Sequence, residues 1–171
     1  MAPAPLPGAS ESGAPTPTVS ASASPDASPT PEVEASIPLE LGCADLISAD
    51  TMFAFNPNFA ALAEWTPEAG TPGAAALTAD GVACRWVRES GGASVDLAAS
   101  RLGDAALAAA IDAATGSPVD FGDEAYFSSD ANERGTLVVF SGSARLVLSS
   151  VYFGEAGDAT VLVESALAAL N

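Results

Sequence analysis

Histidine and lysine are absent from this chain of 171 residues, and cysteine occurs only twice. Without an imidazole or an amine to take its proton, no serine can act as nucleophile in a Ser-His-Asp or Ser-Lys arrangement. The missing histidine also leaves a zinc site incomplete, and Cys43 and Cys84 stand too far apart for the Cys-x-x-Cys redox pattern. No G-x-S-x-G, G-x-G-x-x-G or G-x-x-x-x-G-K-[ST] motif occurs, so the hydrolase elbow, dinucleotide turn and P-loop are missing too. What remains for catalysis is acid-only or metal-only chemistry. Hydrophobic runs are short, and none reaches the ~18–20 residues of a membrane-spanning helix.

Positive charge is scarce. Five arginines (Arg85, Arg88, Arg101, Arg134, Arg145) face 22 acidic residues, a formal net charge of −17. Phosphate backbones and anionic bilayer surfaces would repel such a chain. The expected partners are cations, basic surfaces, neutral glycans or apolar ligands, with no nucleic acid and no cofactor. The surplus of acid also keeps a chain soluble.

Proline, alanine, serine and threonine are plentiful, and they are concentrated at one end. Residues 1–36 hold eight of the 13 prolines and almost no large apolar side chain. Such a segment cannot bury enough surface to offset its ordering entropy, so a disordered, extended stalk is expected. At ~3.1 Å per residue it would reach on the order of 100 Å. Met1 is followed directly by Ala-Pro, with no signal peptide. The segment therefore reads as a mature stalk in which a start methionine replaces an export signal, at the place where a lipoprotein carries its acylated cysteine. A disulfide between Cys43 and Cys84 is the economical reading of the two cysteines, with two buried thiols as the alternative. Stalk and paired cysteines together point to a secreted or envelope-tethered protein.

Patterning begins at Ile37 and continues to Asn171, the length of a single domain. Ser48 and Thr71-Pro72 are helix starts, and Asn56-Pro57 ends the first helix. Residues 82–89 and 93–99 alternate around Gly91-Gly92, predicting a hairpin with Val82, Cys84, Trp86, Val95, Leu97 and Ala99 inward and Arg85 outward. Gly103 to Thr115 predicts a helix stopped by Gly116, with an inward stripe including Ala106, Leu107 and Ile111. A strand at 125–129 precedes two strands, 136–140 and 145–152, that are apolar on both faces and suit central positions. A last helix begins after Gly157-Asp158. The fold class is α+β: a mainly antiparallel sheet of about five strands with helices packed on it.

Three groups are candidate sites. The acidic loop Asp120, Asp123, Glu124, Asp130 and Glu133 offers carboxylates of the kind calcium takes, but without EF-hand spacing, so it stays a weak metal candidate. Trp65, with Phe59 and Leu62 nearby, is placed to line a ligand groove or to plug the edge of the core. Trp86 shares a strand face with Cys84, which favours packing against the sulfur. Arg85 and Arg88 are expected to pair with surface carboxylates.

The run Cys43-Ala-Asp-Leu-Ile-Ser48, followed by Cys84-Arg85-Trp86, resembles small actinobacterial cell-envelope lipoproteins of unknown function. These carry Cys-x-Leu-Leu-Thr early and Cys-x-Trp later, after a low-complexity stalk. Here the leucine lies one position further on, and Ser48 stands where threonine is usual. The likeness covers Leu41 to Ala99. It implies a Cys43–Cys84 disulfide and display through a lipid anchor, and it carries no catalytic residues. The functional expectation is a non-enzymatic binding or interaction module of the envelope, its ligand unspecified. The alternatives are an acid- or metal-dependent hydrolase or transferase using the loop 120–133, and a structural subunit of an envelope complex.

Overall fold

The local signals for helix starts act where the sequence places them. In a computed structural model, which describes residues 36–171, Ser48 Oγ accepts the Thr51 N–H at 3.1 Å and opens helix α2 (Ala49–Phe55). Thr71 Oγ1 accepts the Ala74 N–H at 3.3 Å and opens α3 (Pro72–Thr78), with Pro72 in the first turn. Ahead of them the single turn α1 (Cys43–Leu46) is closed by Asp45, whose Oδ2 accepts the Gly42 N–H at 2.7 Å. The expected stalk lies outside the described residues, apart from Ser36. There the hydroxyl donates to Asp80 Oδ2 at 2.7 Å, so the chain is already tied to the domain at that point.

The strands β1 (Phe59–Ala61), β2 (Val82–Arg88), β3 (Ser94–Arg101), β4 (Ser117–Val119), β5 (Glu124–Ser129), β6 (Gly135–Ser141) and β7 (Ala144–Ser150) form one antiparallel sheet. Its order is β1-β2-β3-β7-β6-β5-β4, which puts the doubly apolar β7 at the centre. The class is α+β, but the strand number is seven rather than about five. The two extra strands, β1 and β4, are three residues each and sit at the edges, too short for an alternating pattern to register. Pro118 has no N–H to give a neighbour and suits the outer strand.

One face of the sheet carries Cys84, Trp86, Val95, Leu97, Leu137, Val139, Leu146 and Leu148. It packs under α1, α2 and the C-terminal helix α5 (Thr160–Leu170) through Leu46, Met52, Leu162, Val163, Ala166 and Leu170. Each buried leucine, valine or methionine among them contributes about 1.5–3 kcal/mol by leaving water. A 3-10 turn, Ala156–Ala159, precedes α5, and Asp158 accepts the Gly154 and Glu155 N–H groups at 2.9 and 3.0 Å. A disulfide joins Cys43 of α1 to Cys84 of β2 with Cα atoms 5.7 Å apart, and Trp86 is buried on the same side of β2. No helix among the described residues is long and apolar enough to cross a membrane.

The opposite face is only partly covered. Ala76 of α3 packs on Ala98, Val147 and Val138. Helix α4 (Asp104–Asp112) ends three residues short of the predicted limit, and none of its residues is fully buried; Ala106, expected inward, is exposed. Gly116 is not the residue that stops it. Its role is close approach: a Cβ there would stand 2.4 Å from the Phe127 carbonyl oxygen.

Candidate functional site

The partly covered face owes its polar content to strand alternation. With Cys84, Trp86, Val95 and Leu97 inward, Arg85 and Asp96 must point to the other side, and the hairpin register sets them directly opposite each other. The next strands continue the row, with Asp96 beside Ser149 and Ser149 beside Thr136. Arg85 binds Asp96 through two parallel bonds, Nε to Oδ1 at 2.6 Å and Nη2 to Oδ2 at 2.8 Å. Arg134, just ahead of β6, donates from Nη2 to the same Oδ2 at 2.6 Å and to the Ser149 carbonyl at 3.1 Å. Charge-assisted, bidentate bonds of this kind are the strong ones. The bond to Asp96 holds the Arg85 guanidinium above its ordinary range, partly offset by desolvation.

Above this row lies the segment between β1 and α3. Leu62 N–H donates to the Arg85 carbonyl at 2.8 Å, which keeps the chain beside β2 as it leaves the sheet. Thr71 anchors the other end by donating from Oγ1 to the Glu68 carbonyl at 2.6 Å while capping α3. Between the anchors, Pro67 is buried and Trp65 half-buried. A side chain at Gly73 would meet Pro67 at 3.0 Å and Trp65 Cη2 at 3.3 Å, so glycine there lets the indole lie against the helix start. The Arg85 guanidinium sits 4.3 Å from the Trp65 ring centroid, a cation–π contact of about 1 kcal/mol.

Segment and sheet enclose a cavity of about 410 Å³, with Trp65 and Glu68 on one wall, Arg85, Asp96 and Arg134 at its polar end, and Val147 on its floor. That volume lies within the range of small-molecule sites. Asp96 is already engaged by three guanidinium N–H bonds and is not poised as a general base. The arrangement has the shape and polar groups to hold and orient a ligand; the cavity lining contains no nucleophile paired with a base.

The two proposed groove residues are separated. Trp65 lines this cavity, whereas Phe59 is buried on the other face, 5.5 Å from the Tyr152 ring and 6.1 Å from Phe55. Phe59 borders a second recess of about 300 Å³ with Cys43, Met52 and Trp86. The acidic loop is dispersed as well. Asp123 Oδ2 accepts the Gly142 N–H at 2.7 Å, and Glu124 accepts from the Tyr126 hydroxyl, which holds that phenol above its usual range. Asp130 Oδ1 accepts the Asn132 and Arg134 N–H groups at 2.8 and 3.0 Å, while Asp120 and Glu133 are exposed. Among the described residues, no three or more His, Cys, Asp or Glu side chains are grouped to hold a metal ion.

The arginines do not gather in one patch. Arg85 pairs with a carboxylate, but Arg88 donates to Tyr152 Oη at 2.8 Å instead, and Arg101 donates to the Leu170 carbonyl. Asp96 and Arg134 escaped the sequence reading. The first was accessible in principle, since a hairpin turning at Gly91-Gly92 places residue 96 across from residue 85. Nothing local marks Arg134.

No family model matches the chain, and no curated protein or solved structure matches it.

Proposed function

We propose that the protein is an exported, non-enzymatic binding module of the cell envelope that takes its ligand in the Trp65 groove. The observation that carries this reading is the groove itself: a cavity of about 410 Å³ with an aromatic wall, an apolar floor and a fixed triad of charges at one end. Pockets of that make-up orient small ligands through a few polar groups while burying the rest. The Cys43–Cys84 disulfide supports an oxidising compartment, and the Ala/Pro/Ser/Thr-rich residues 1–36 support a spacer between an anchor and the domain. The pattern of Cys43, Cys84 and Trp86 supports kinship with the actinobacterial envelope lipoproteins. The acidic loop supports no rival reading, because Asp123, Glu124 and Asp130 are each committed to a different local bond.

Saturation-transfer NMR tests the groove with maltose, chitobiose, hexanoate, hexanamide and a short arginine-rich peptide as probes. At least one should receive saturation from the wild-type protein and lose it in Trp65→Ala, with the circular dichroism spectrum unchanged. Silence from all five, or equal transfer in the variant, would overturn the reading. Export is tested separately by alkylating unreduced protein from its native source: neither Cys43 nor Cys84 should be modified, and ready modification of both would refute it.

A further inference from the structure

We infer that the ligand is a small organic monoacid, its carboxylate held by the outer edges of Arg85 and Arg134 and its apolar body lying on the Ala98–Val147 floor. This deepens the proposed binding function and rests on the groove being its site. The donor count carries the inference. Each guanidinium offers five N–H groups. Asp96 takes three bonds from the pair, and Ser94 and Ser149 take others, all from Arg85 Nε and Nη2 and Arg134 Nε and Nη2. The Nη1 groups of both arginines have no hydrogen-bond partner among the described residues, and neither is a buried orphan. The two guanidiniums meet on Asp96 at the partly buried end of the cavity, where the three side chains are 20–32 % exposed.

The unengaged groups on the two guanidiniums are donors. Asp96 already takes three bonds, and Ser149 Oγ already accepts from Arg134. A sugar also presents hydroxyl donors, which the guanidinium edges cannot use. A carboxylate presents acceptors alone, in the planar geometry that guanidinium edges fit. Beyond the charges, Ala98 and Val147 on the sheet and Pro72 and Gly73 at the start of α3 provide apolar contact.

Charge sets the valence. Glu68, exposed in the lining and acting on the Arg85 charge, disfavours a second negative group at that end. The net charge of −17 repels polyanions approaching from a distance. At physiological salt the screening length is ~8 Å, so a monoanion seated on two guanidiniums feels mainly its immediate neighbours.

The test follows the Trp65 indole N–H by two-dimensional NMR of the full chain, with the buried Trp86 indole as internal reference. Hexanoate should shift the Trp65 signal saturably and leave Trp86 in place, and hexanamide should bind at least tenfold more weakly. Arg134→Gln, which keeps the Arg85–Asp96 pair, should weaken hexanoate at least tenfold without affecting hexanamide. If that variant does not fold, the comparison of hexanoate with hexanamide in the unaltered protein decides alone. Equal binding of acid and amide, or tighter binding of maltose, would overturn the acid class and leave the groove standing. Hexanoate shifts confined to Trp86 would overturn it by placing the ligand in the other recess. No response to any of the three probes would overturn the acid class, and silence from chitobiose and the arginine-rich peptide as well would overturn the groove.

Discussion

Reducing the Cys43–Cys84 bond should cost this domain about 4 kcal/mol of stability, a figure that follows from loop length. The bond closes a loop with a sequence separation of 41 residues, so in the oxidised unfolded chain two distant segments stay tethered. Releasing them restores chain entropy to the unfolded state alone. In the folded state the two sulfurs stay where packing puts them, because α1 is also held by Leu46, which is fully buried against α5. For a domain of roughly 135 residues the loss corresponds to a fall in Tm of about 14 °C. Urea unfolding with and without a phosphine reductant measures it, and the reduced chain should show a slightly larger m-value because its unfolded state is more open. A Cys43→Ala/Cys84→Ala protein provides the control, since reductant should leave it unaffected. A loss below about 1 kcal/mol would refute the entropic account and show that residues 43–84 remain associated in the unfolded chain without the bond.

Other perturbations probe the site and the backbone around it. Asp96→Asn removes the carboxylate shared by two guanidiniums and should cost about 2 kcal/mol in urea unfolding, between a surface pair and a fully buried one; the same loss in an Arg85→Gln/Arg134→Gln background would refute the shared-charge explanation. Gly135→Ala would bring a Cβ within 2.1 Å of the Phe153 carbonyl oxygen, and a cost of about 3 kcal/mol is expected; a stability within 0.5 kcal/mol of wild type, roughly the scatter of harmless surface changes, would refute that contact. The Asp130 carboxyl accepts the Arg134 and Asn132 backbone N–H groups, which hold it below the ordinary carboxylate range. Its folded value being the lower one, the turn is stabilised above the unfolded value and loses that support as pH falls through the folded value. A carbon-detected NMR titration with an ordinary aspartate midpoint at Asp130 would contradict this.

Much of the fold was legible because local chemistry and tertiary packing agree. Ser48, Thr71-Pro72 and Asn56-Pro57 act through their own backbone neighbours, so their helix boundaries need no distant partner. The hairpin of β2 and β3 announces itself because one face must be apolar and the other need not be. What escaped depends on partners far away in sequence. β1 and β4 exist only because β2 and β5 offer them open edges. The stripe on α4 looks amphipathic, yet no element covers it closely enough to bury any residue fully. The site was half legible: Trp65 stands out as a large aromatic among small residues, but its contact with Arg85 arises from the Leu62 and Thr71 anchors. Pairing it with Phe59 failed because proximity in sequence says nothing about which side of a sheet a side chain takes.

The groove and the core are two consequences of one register. Side chains alternate along β2 and β3, so the choice that sends Cys84 to meet Cys43 also sends Arg85 to the other face, opposite Asp96. A one-residue slip of β3 would bring Asp96 to the apolar side and expose Val95 and Leu97. Desolvating an unpaired carboxylate there would cost several kcal/mol, on top of about 1.5–3 kcal/mol for each apolar side chain returned to water. The apolar core therefore enforces the position of the charges, and the disulfide fixes β2 from outside the sheet. The charged row is thus set before any ligand arrives. This is the condition under which binding energy goes into contacts rather than into ordering the site.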